Sequence, residues 1–209
     1  MTTQSTAQKN PSPDQGKKGF TLTEIAIVLG IIGMILGAIW TAASSVYNNQ
    51  RISHANTSIL QITQGVRTLY SEAPNMGNTA SQDMTASLIT AGALPMDIIN
   101  GTAAIGPWAS SAIKVLGGSV ANDVSFTIEI SNVPLKACIS LISSIGGASR
   151  DTGLFGIATT TAAAPITTAS AGTALTSSSA QIAVVTPAIA TTACSAATNT
   201  VQFGFGLKS

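Results

Sequence analysis

The stretch Lys17-Lys18-Gly19-Phe20-Thr21-Leu22-Thr23-Glu24 sets two cations, a glycine and one carboxylate at the mouth of an apolar run that continues to Trp40. From Phe20 through Trp40 the only ionisable side chain is Glu24. A secretory signal puts its charges first, then a short apolar core, then a cleavage site, so the apolar part is lost. Here the lysines and Gly19 precede the apolar run, and a cut after Gly19 would keep that run as the new N-terminus. The chemistry on offer is proteolysis followed by charge pairing. The freed α-amino group of Phe20 is the natural counter-ion for the Glu24 carboxylate, from the same chain or the next, once both are away from water.

Two thiols form the second candidate group. Lys17 and Lys18 just before the span favour a cytoplasmic N-terminus, which sends the rest of the chain outside. There Cys138 and Cys194, the only cysteines, are expected to oxidise to each other. Closing a loop of about 55 residues stabilises by about 4 kcal/mol on the chain-entropy estimate. A catalytic thiol or a metal pair would need a nearby histidine, and the single one, His54, falls in the polar sector of a long helix, where it is expected to be solvated. Acidic residues are sparse and unpaired in spacing, and no phosphate-cradling glycine loop follows a strand. No enzyme, cofactor or metal site is expected.

Composition narrows the partners further. Only 8% of the 209 residues are charged and 45% are hydrophobic, which excludes a highly charged disordered chain. A net charge of +1 gives no basic field for nucleic acid. Without residues 1–19 the chain carries six Lys/Arg and seven Asp/Glu, a near-neutral particle able to stack with copies of itself.

The elements that must position these groups follow from pattern. Phe20 to Trp40 is 21 residues, long enough to span a bilayer, which takes roughly 20 residues at about 1.5 Å each. No proline interrupts the chain from Phe20 until Pro74, permitting one helix of about 50 residues and on the order of 75 Å. Its first half is apolar all round. In its second half Ile52, Ala55, Ile59, Ile62, Val66 and Leu69 recur at spacings of three and four, a stripe that needs a partner surface. Gly30, Gly33 and Gly37, with Ala26, are the small residues of the apolar half; either they allow helix backbones to approach closely or they reflect the frequency of glycine in membrane helices.

Beyond Pro74 the expected elements are short. A helix with Asp83 as N-cap carries Leu88 and Ile89 and stops at Gly92 and Pro95. Ala112 to Leu116 reads as a strand, and Val124 to Ile130 alternates strictly apolar and polar. Asn132 and Pro134 open a helix whose Leu135, Cys138, Ile139, Ile142 and Ile145 share a face. No charge occurs from Thr152 to Leu207. Within that stretch Thr159 to Ala180 is Thr/Ala/Ser-rich and reads as a surface loop, Ile182 to Val185 as a short strand, and Asn199 to Phe205 as the closing strand.

Gly19-Phe20-Thr21-Leu22-Thr23-Glu24-Ile25-Ala26-Ile27-Val28 resembles the processing and methylation site of type IV prepilins: a basic pair, Gly, Phe, a short apolar stretch and Glu as the fifth mature residue. Thr23 departs from the aliphatic residue usual there. Pro107-Trp108, Val133-Pro134-Leu135-Lys136-Ala137-Cys138 and Cys194 followed by Thr200-Val201-Gln202-Phe203-Gly204-Phe205 are similar to type IVb major pilins of the bundle-forming, toxin-coregulated and conjugative thin pilus kind, and a 19-residue leader also suits them. Phe20 departs from type IVb, which keeps type IVa open.

The resemblance implies an α+β type IV pilin fold, a long N-terminal helix packed on a C-terminal antiparallel sheet domain closed by one disulfide. It divides the chain into a cleaved leader 1–19, a helix 20–72 (20–40 membrane span and filament core, 41–72 amphipathic) and a head 73–209 with the disulfide-bounded region 138–194. It implies cleavage at Gly19/Phe20 and N-methylation of Phe20 by prepilin peptidase, an assembly role for Glu24, and a helical filament of copies built by the pilus machinery from an inner-membrane pool. The expected function is that of a pilus subunit serving adhesion, aggregation, conjugation or motility. The alternatives are a minor pilin, a type II secretion pseudopilin, or a monomeric membrane-anchored binding domain.

Overall fold

A computed structural model of the chain describes residues 19–118, 121–160 and 184–208. They fall into two compact units divided between Ser45 and Val46. One helix, α1 (Leu22–Leu69), supplies both. In the first unit it is the only element among the described residues, and no described side chain there is buried. The absence of Pro and the abundance of Ala, Leu and Ile carry the helix through its glycines, each of which costs about 1 kcal/mol against Ala.

In the second unit, α1 is followed by α2 (Thr85–Thr90), a single 3₁₀ turn (Met96–Ile98), β1 (Ile99–Asn100), β2 (Ala103–Ile105), β3 (Ala112–Gly117), β4 (Ser125–Pro134), α3 (Leu135–Ile145), β5 (Leu154–Thr160), α4 (Pro187–Ala193) and β6 (Thr198–Gly206). The strands form one sheet in the order β1-β2-β3-β4-β6-β5, antiparallel at every pairing. The last strand of the chain therefore lies between β4 and β5. It pairs Phe126 with Phe205, Ile128 with Phe203 and Ile130 with Val201 across β4, all six fully buried.

The core is where the apolar stripe of α1 meets this sheet's apolar residues. Ala55, Ile59, Ile62 and Val66 are fully buried with Ile113, Val115, Phe126, Ile128, Phe203 and Phe205. Burying each such side chain is worth about 1.5–3 kcal/mol. Gly65 marks a close approach: a Cβ there would collide with the Ala93 carbonyl oxygen. The disulfide Cys138–Cys194 joins α3 to the end of α4, its Cα atoms 6.0 Å apart and both residues buried.

Several expectations need correction. Helix α1 ends at Leu69 rather than 72, and Leu69 is 45% exposed, rotated off the buried stripe. The residue flanking α2 is Met84, not Asp83; the Asp83 carboxylate still accepts from the Thr85 N–H (3.0 Å), because an aspartate two residues upstream reaches the same donor. On α3 the buried face is Ala137, Cys138, Leu141, Ile142 and Ile145, with Leu135 exposed and Ile139 partly covered. Strand β4 is buried on both faces from Phe126 to Ile130, Thr127 and Glu129 included, although its alternation reads as one wet face. Glu129 accepts a 2.8 Å bond from the buried Gln202 carboxamide beside it on β6. Thr159 and Thr160 belong to β5 rather than to a loop, and the rest of the Thr/Ala/Ser-rich stretch lies outside the described residues. So do Ile182 and Ala183. Val184 and Val185 are not in a strand, and α4 follows instead, with the Thr186 hydroxyl accepting from Ile189 N–H and Pro187 opening the helix.

Candidate functional site on the N-terminal helix

Lys17 and Lys18 lie outside the described residues. Gly19 and Phe20 precede α1 outside any helix or strand, Phe20 83% exposed and a Cβ on Gly19 meeting nothing described within 4 Å. A cut between them thus falls in accessible backbone ahead of the first helical turn.

Thr21 opens the helix. Its carbonyl accepts the first helical bond, from Ile25 N–H at 3.2 Å, and its hydroxyl accepts from Glu24 N–H at 3.3 Å. Glu24 answers: its Oε2 accepts from Thr21 N–H at 2.9 Å and from the Thr21 hydroxyl at 3.0 Å. This is a reciprocal capping box. The pattern Thr-x-x-Glu before an apolar run spells it out, and a reading of the sequence that seeks only the α-amino partner of Glu24 passes over Thr21. Both accepted bonds fall on Oε2.

The remainder of the first unit is an uncharged helix surface. Leu29 is 62% exposed, Leu36 60% and Trp40 80%. This helix is long and apolar enough to cross a membrane. Among the described residues, a Cβ at Gly30, Gly33 or Gly37 would meet nothing within 4 Å.

The end of α1 is tied to the sheet domain by ions. Arg67 forms a two-pronged pair with Asp151, 2.8 Å at each contact, donates from Nε to the Gly206 carbonyl at 3.0 Å and lies over the Phe205 ring. The Arg67 hydrogen bonds hold the Asp151 carboxyl below its ordinary range, outweighing partial burial, and the Gly153 N–H adds to the lowering. Burial raises the Tyr70 hydroxyl. His54, expected to be solvated, is half exposed and its Nε2 lies 2.8 Å from Asp97 Oδ2 in the 3₁₀ turn. Among the described residues no three His, Cys, Asp or Glu gather as a metal site.

A cut-and-cap motif before an exposed membrane-length helix, and an antiparallel sheet domain packed on that helix's second half and closed by one disulfide, define a type IV pilin. The chain belongs to the pilin family described as PilS N terminal, which matches residues 49–205, and residues 14–40 match the prokaryotic N-terminal methylation motif. It is similar to the toxin coregulated pilin of Vibrio cholerae, 27% identical over 133 residues, and to that of V. cholerae serotype O1 (El Tor Inaba N16961), 25% identical over 134. Each match covers 63% of this chain and 59% of the relative's length. The crystal structure of TcpA, a type IV pilin from Vibrio cholerae El Tor biotype, superposes with a TM-score of 0.53 at 18% identity, covering 74% of this chain and 98% of that one. This is a family of structural subunits, not of enzymes; as a class such pilins are processed by prepilin peptidase and assemble into filaments.

Proposed function

We propose that this chain is the major subunit of a type IVb-like pilus. Prepilin peptidase removes 1–19 at Gly19/Phe20 and methylates the new Phe20 amine, with Lys17 and Lys18 holding the N-terminus on the cytoplasmic side. The segment Phe20–Trp40 stores the subunit in the inner membrane. It then becomes filament core, with 41–72 and the head 73–209 forming the outer shell of an extracellular pilus. Adhesion, aggregation, conjugation and motility are the tasks such a filament serves.

The observation that carries this reading is the first unit itself: a helix apolar on every side, exposed on every side, with one carboxylate at its start. A carboxylate deep in hydrocarbon costs about 2.5–3.5 kcal/mol on insertion scales. Glu24 sits near the processed end, where the Thr21 bonds to Oε2 offset part of that cost. Oε1 stays available, so the cap and an ammonium partner can be satisfied together. Pairing with the Phe20 amine of a neighbouring copy offsets desolvation only in good geometry, which fixes the register of each incoming helix. Gly30, Gly33 and Gly37 let the packed backbones come close.

Two measurements on sheared cell-surface material test the reading. Intact mass of the subunit is expected to begin at Phe20 and to carry one extra methyl group; a mass retaining Met1 to Gly19 would remove the processing step. Negative-stain microscopy is expected to find long filaments composed mainly of this chain, whereas its presence only at trace level would assign it to the minor pilins or pseudopilins.

A further inference from the structure

Asn100 is the one asparagine in the chain that a glycine follows, and the fold sets the pair at the tip of the β1–β2 hairpin. Gly101 and Thr102 form the two-residue turn between the paired Asn100 and Ala103. Gly101 has φ +65°, the left-handed value that the first turn residue of a type II′ hairpin takes and that glycine supplies without strain. Asn100, Gly101, Thr102 and Ala103 are all exposed. Strand β1 lies at the edge of the sheet and has only two paired residues.

A carboxamide carbon is an electrophile for the backbone nitrogen of the next residue, provided that nitrogen is open. Among the described residues no hydrogen bond holds the Gly101 N–H or the Asn100 carboxamide. Reacting atoms must come within about 3–3.5 Å, and with no side chain on Gly101 the approach is clear. The other asparagines are less free. Asn48, Asn49 and Asn56 lie inside α1, where the following amide is held in the helical bond pattern. The Asn75 and Asn199 carboxamide oxygens accept from Gly77 N–H and Ala196 N–H. Asn100 must leave its strand conformation to present its carbon to the nitrogen, and a two-pair edge strand frays at a small fraction of the cost of global unfolding.

We propose that Asn100-Gly101 is a self-modification site whose only co-reactant is water. The Gly101 nitrogen gives up its proton and bonds to Asn100 Cγ. The bond from Cγ to the side-chain nitrogen breaks, and ammonia leaves with a proton. The cyclic imide left behind is opened by water at one of its two carbonyls. Opening at Cγ gives aspartate; opening at the main-chain carbonyl gives isoaspartate, in which the chain runs through Cβ and Cγ. The balance is one water consumed and one ammonia released, with no change of oxidation state. Either product sets a new carboxylate three residues from Asp97, which His54 holds at 2.8 Å. Isoaspartate also lengthens the main chain by one carbon beside the Asn100 and Ala103 pair, so β1 loses its register with β2 while β3, β4 and β6 keep theirs.

The test uses the full-length chain in detergent with its disulfide intact, held for days in mildly alkaline buffer made with water enriched in heavy oxygen, then digested and sequenced by mass spectrometry. Residue 100 is expected to gain one heavy oxygen, as aspartate and isoaspartate together, roughly tenfold or more faster than any other asparagine. Asn100→Gln keeps a carboxamide but would have to close a larger ring, and is expected to gain none there. A rate at Asn100 no higher than elsewhere overturns the proposal, as does a gain seen only after the chain is reduced and denatured. A sugar already on Asn100, for which Asn100-Gly101-Thr102 has the acceptor pattern, would block the carboxamide and overturn it too. Hydrogen exchange on the aged chain reads the consequence. The Ala103 amide is expected to exchange faster in the isoaspartate form, with those of Ile128 and Phe203 unchanged; unchanged exchange at Ala103 overturns the release of β1.

Discussion

Ile32 and Ile62 have the same side chain on the same helix, yet Ile32 is 45% exposed and Ile62 is fully buried. The difference lies in the surroundings each sequence neighbourhood specifies. Around Ile62 polar residues alternate with apolar ones at helical spacing, so one face is marked for a surface in the same chain, and the sheet supplies it. Around Ile32 every face is apolar and no described surface in the first unit covers any of them, so on the proposed assembly their burial comes from other copies. On that reading one helix holds an intramolecular contact and an intermolecular one in sequence, and they should respond separately to mutation.

The largest effect expected is at the one charge in the uncovered half. Glu24→Val is expected to abolish filaments while leaving membrane insertion and the head's melting transition unchanged, because on the proposed assembly its carboxylate meets the ammonium of a neighbouring copy. Filament counts by microscopy, membrane fractionation and calorimetry of the extracted subunit check the three parts. Normal filaments would sink the assembly role of Glu24.

Next comes the covered half. Ile62→Ala removes a fully buried side chain and should destabilise the head by about 2–5 kcal/mol, read as a lowered melting temperature of the disulfide-intact subunit. An unchanged transition would mean that the stripe of α1 is not part of the head's cooperative core.

How far these interactions are legible in the sequence depends on whether their signal is local. The apolar run, the stripe Ala55, Ile59, Ile62 and Val66, the staple positions Cys138 and Cys194 and the strands β3, β4 and β6 are written in periodicity or residue type, and each is expected from the sequence. Strands β1 and β2, of two and three residues, are too short to carry a period. Strand β5 is hidden because Leu154-Phe155-Gly156-Ile157-Ala158 has no alternation; its register with β6 slips between Leu154 and Gly156, and it is buried on both faces along most of its length. The partners of His54 and Arg67 lie 43 and 84 residues away, distances at which no spacing rule speaks. The capping box is legible, four residues long, and is eclipsed when Glu24 is weighed by its charge alone.

The Arg67–Asp151 pair sharpens the comparison at lower energy, since it fixes the end of the covered half to the head. Asp151 has a folded-state pKa below its unfolded value. Its contribution is therefore complete above the ordinary carboxylate range near pH 4 and is lost as pH falls through the lower folded value. Asp151→Asn is expected to cost about 2 kcal/mol at neutral pH, in the range of hydrogen bonds to charged groups, and to flatten the decline in melting temperature below about pH 4. A variant with the wild type's full acid sensitivity would put the acid response elsewhere.

The smallest effect should come from Ile32→Ala. In a two-state head, deleting methylenes costs the packing they supplied within the cooperative unit plus a penalty for the cavity that remains there. Ile32 belongs to the other unit, where no described side chain is buried, so neither cost arises. Subunits extracted in detergent should melt within about 0.5 kcal/mol of wild type, against the several kcal/mol lost at Ile62 for truncation of the same side chain. If Ile32→Ala lowered the head's melting temperature as Ile62→Ala does, the helix would be one cooperative element and its apolar half would already have a partner inside the subunit. If it leaves the head untouched and weakens only the filament, the burial of Ile32 belongs to the assembly.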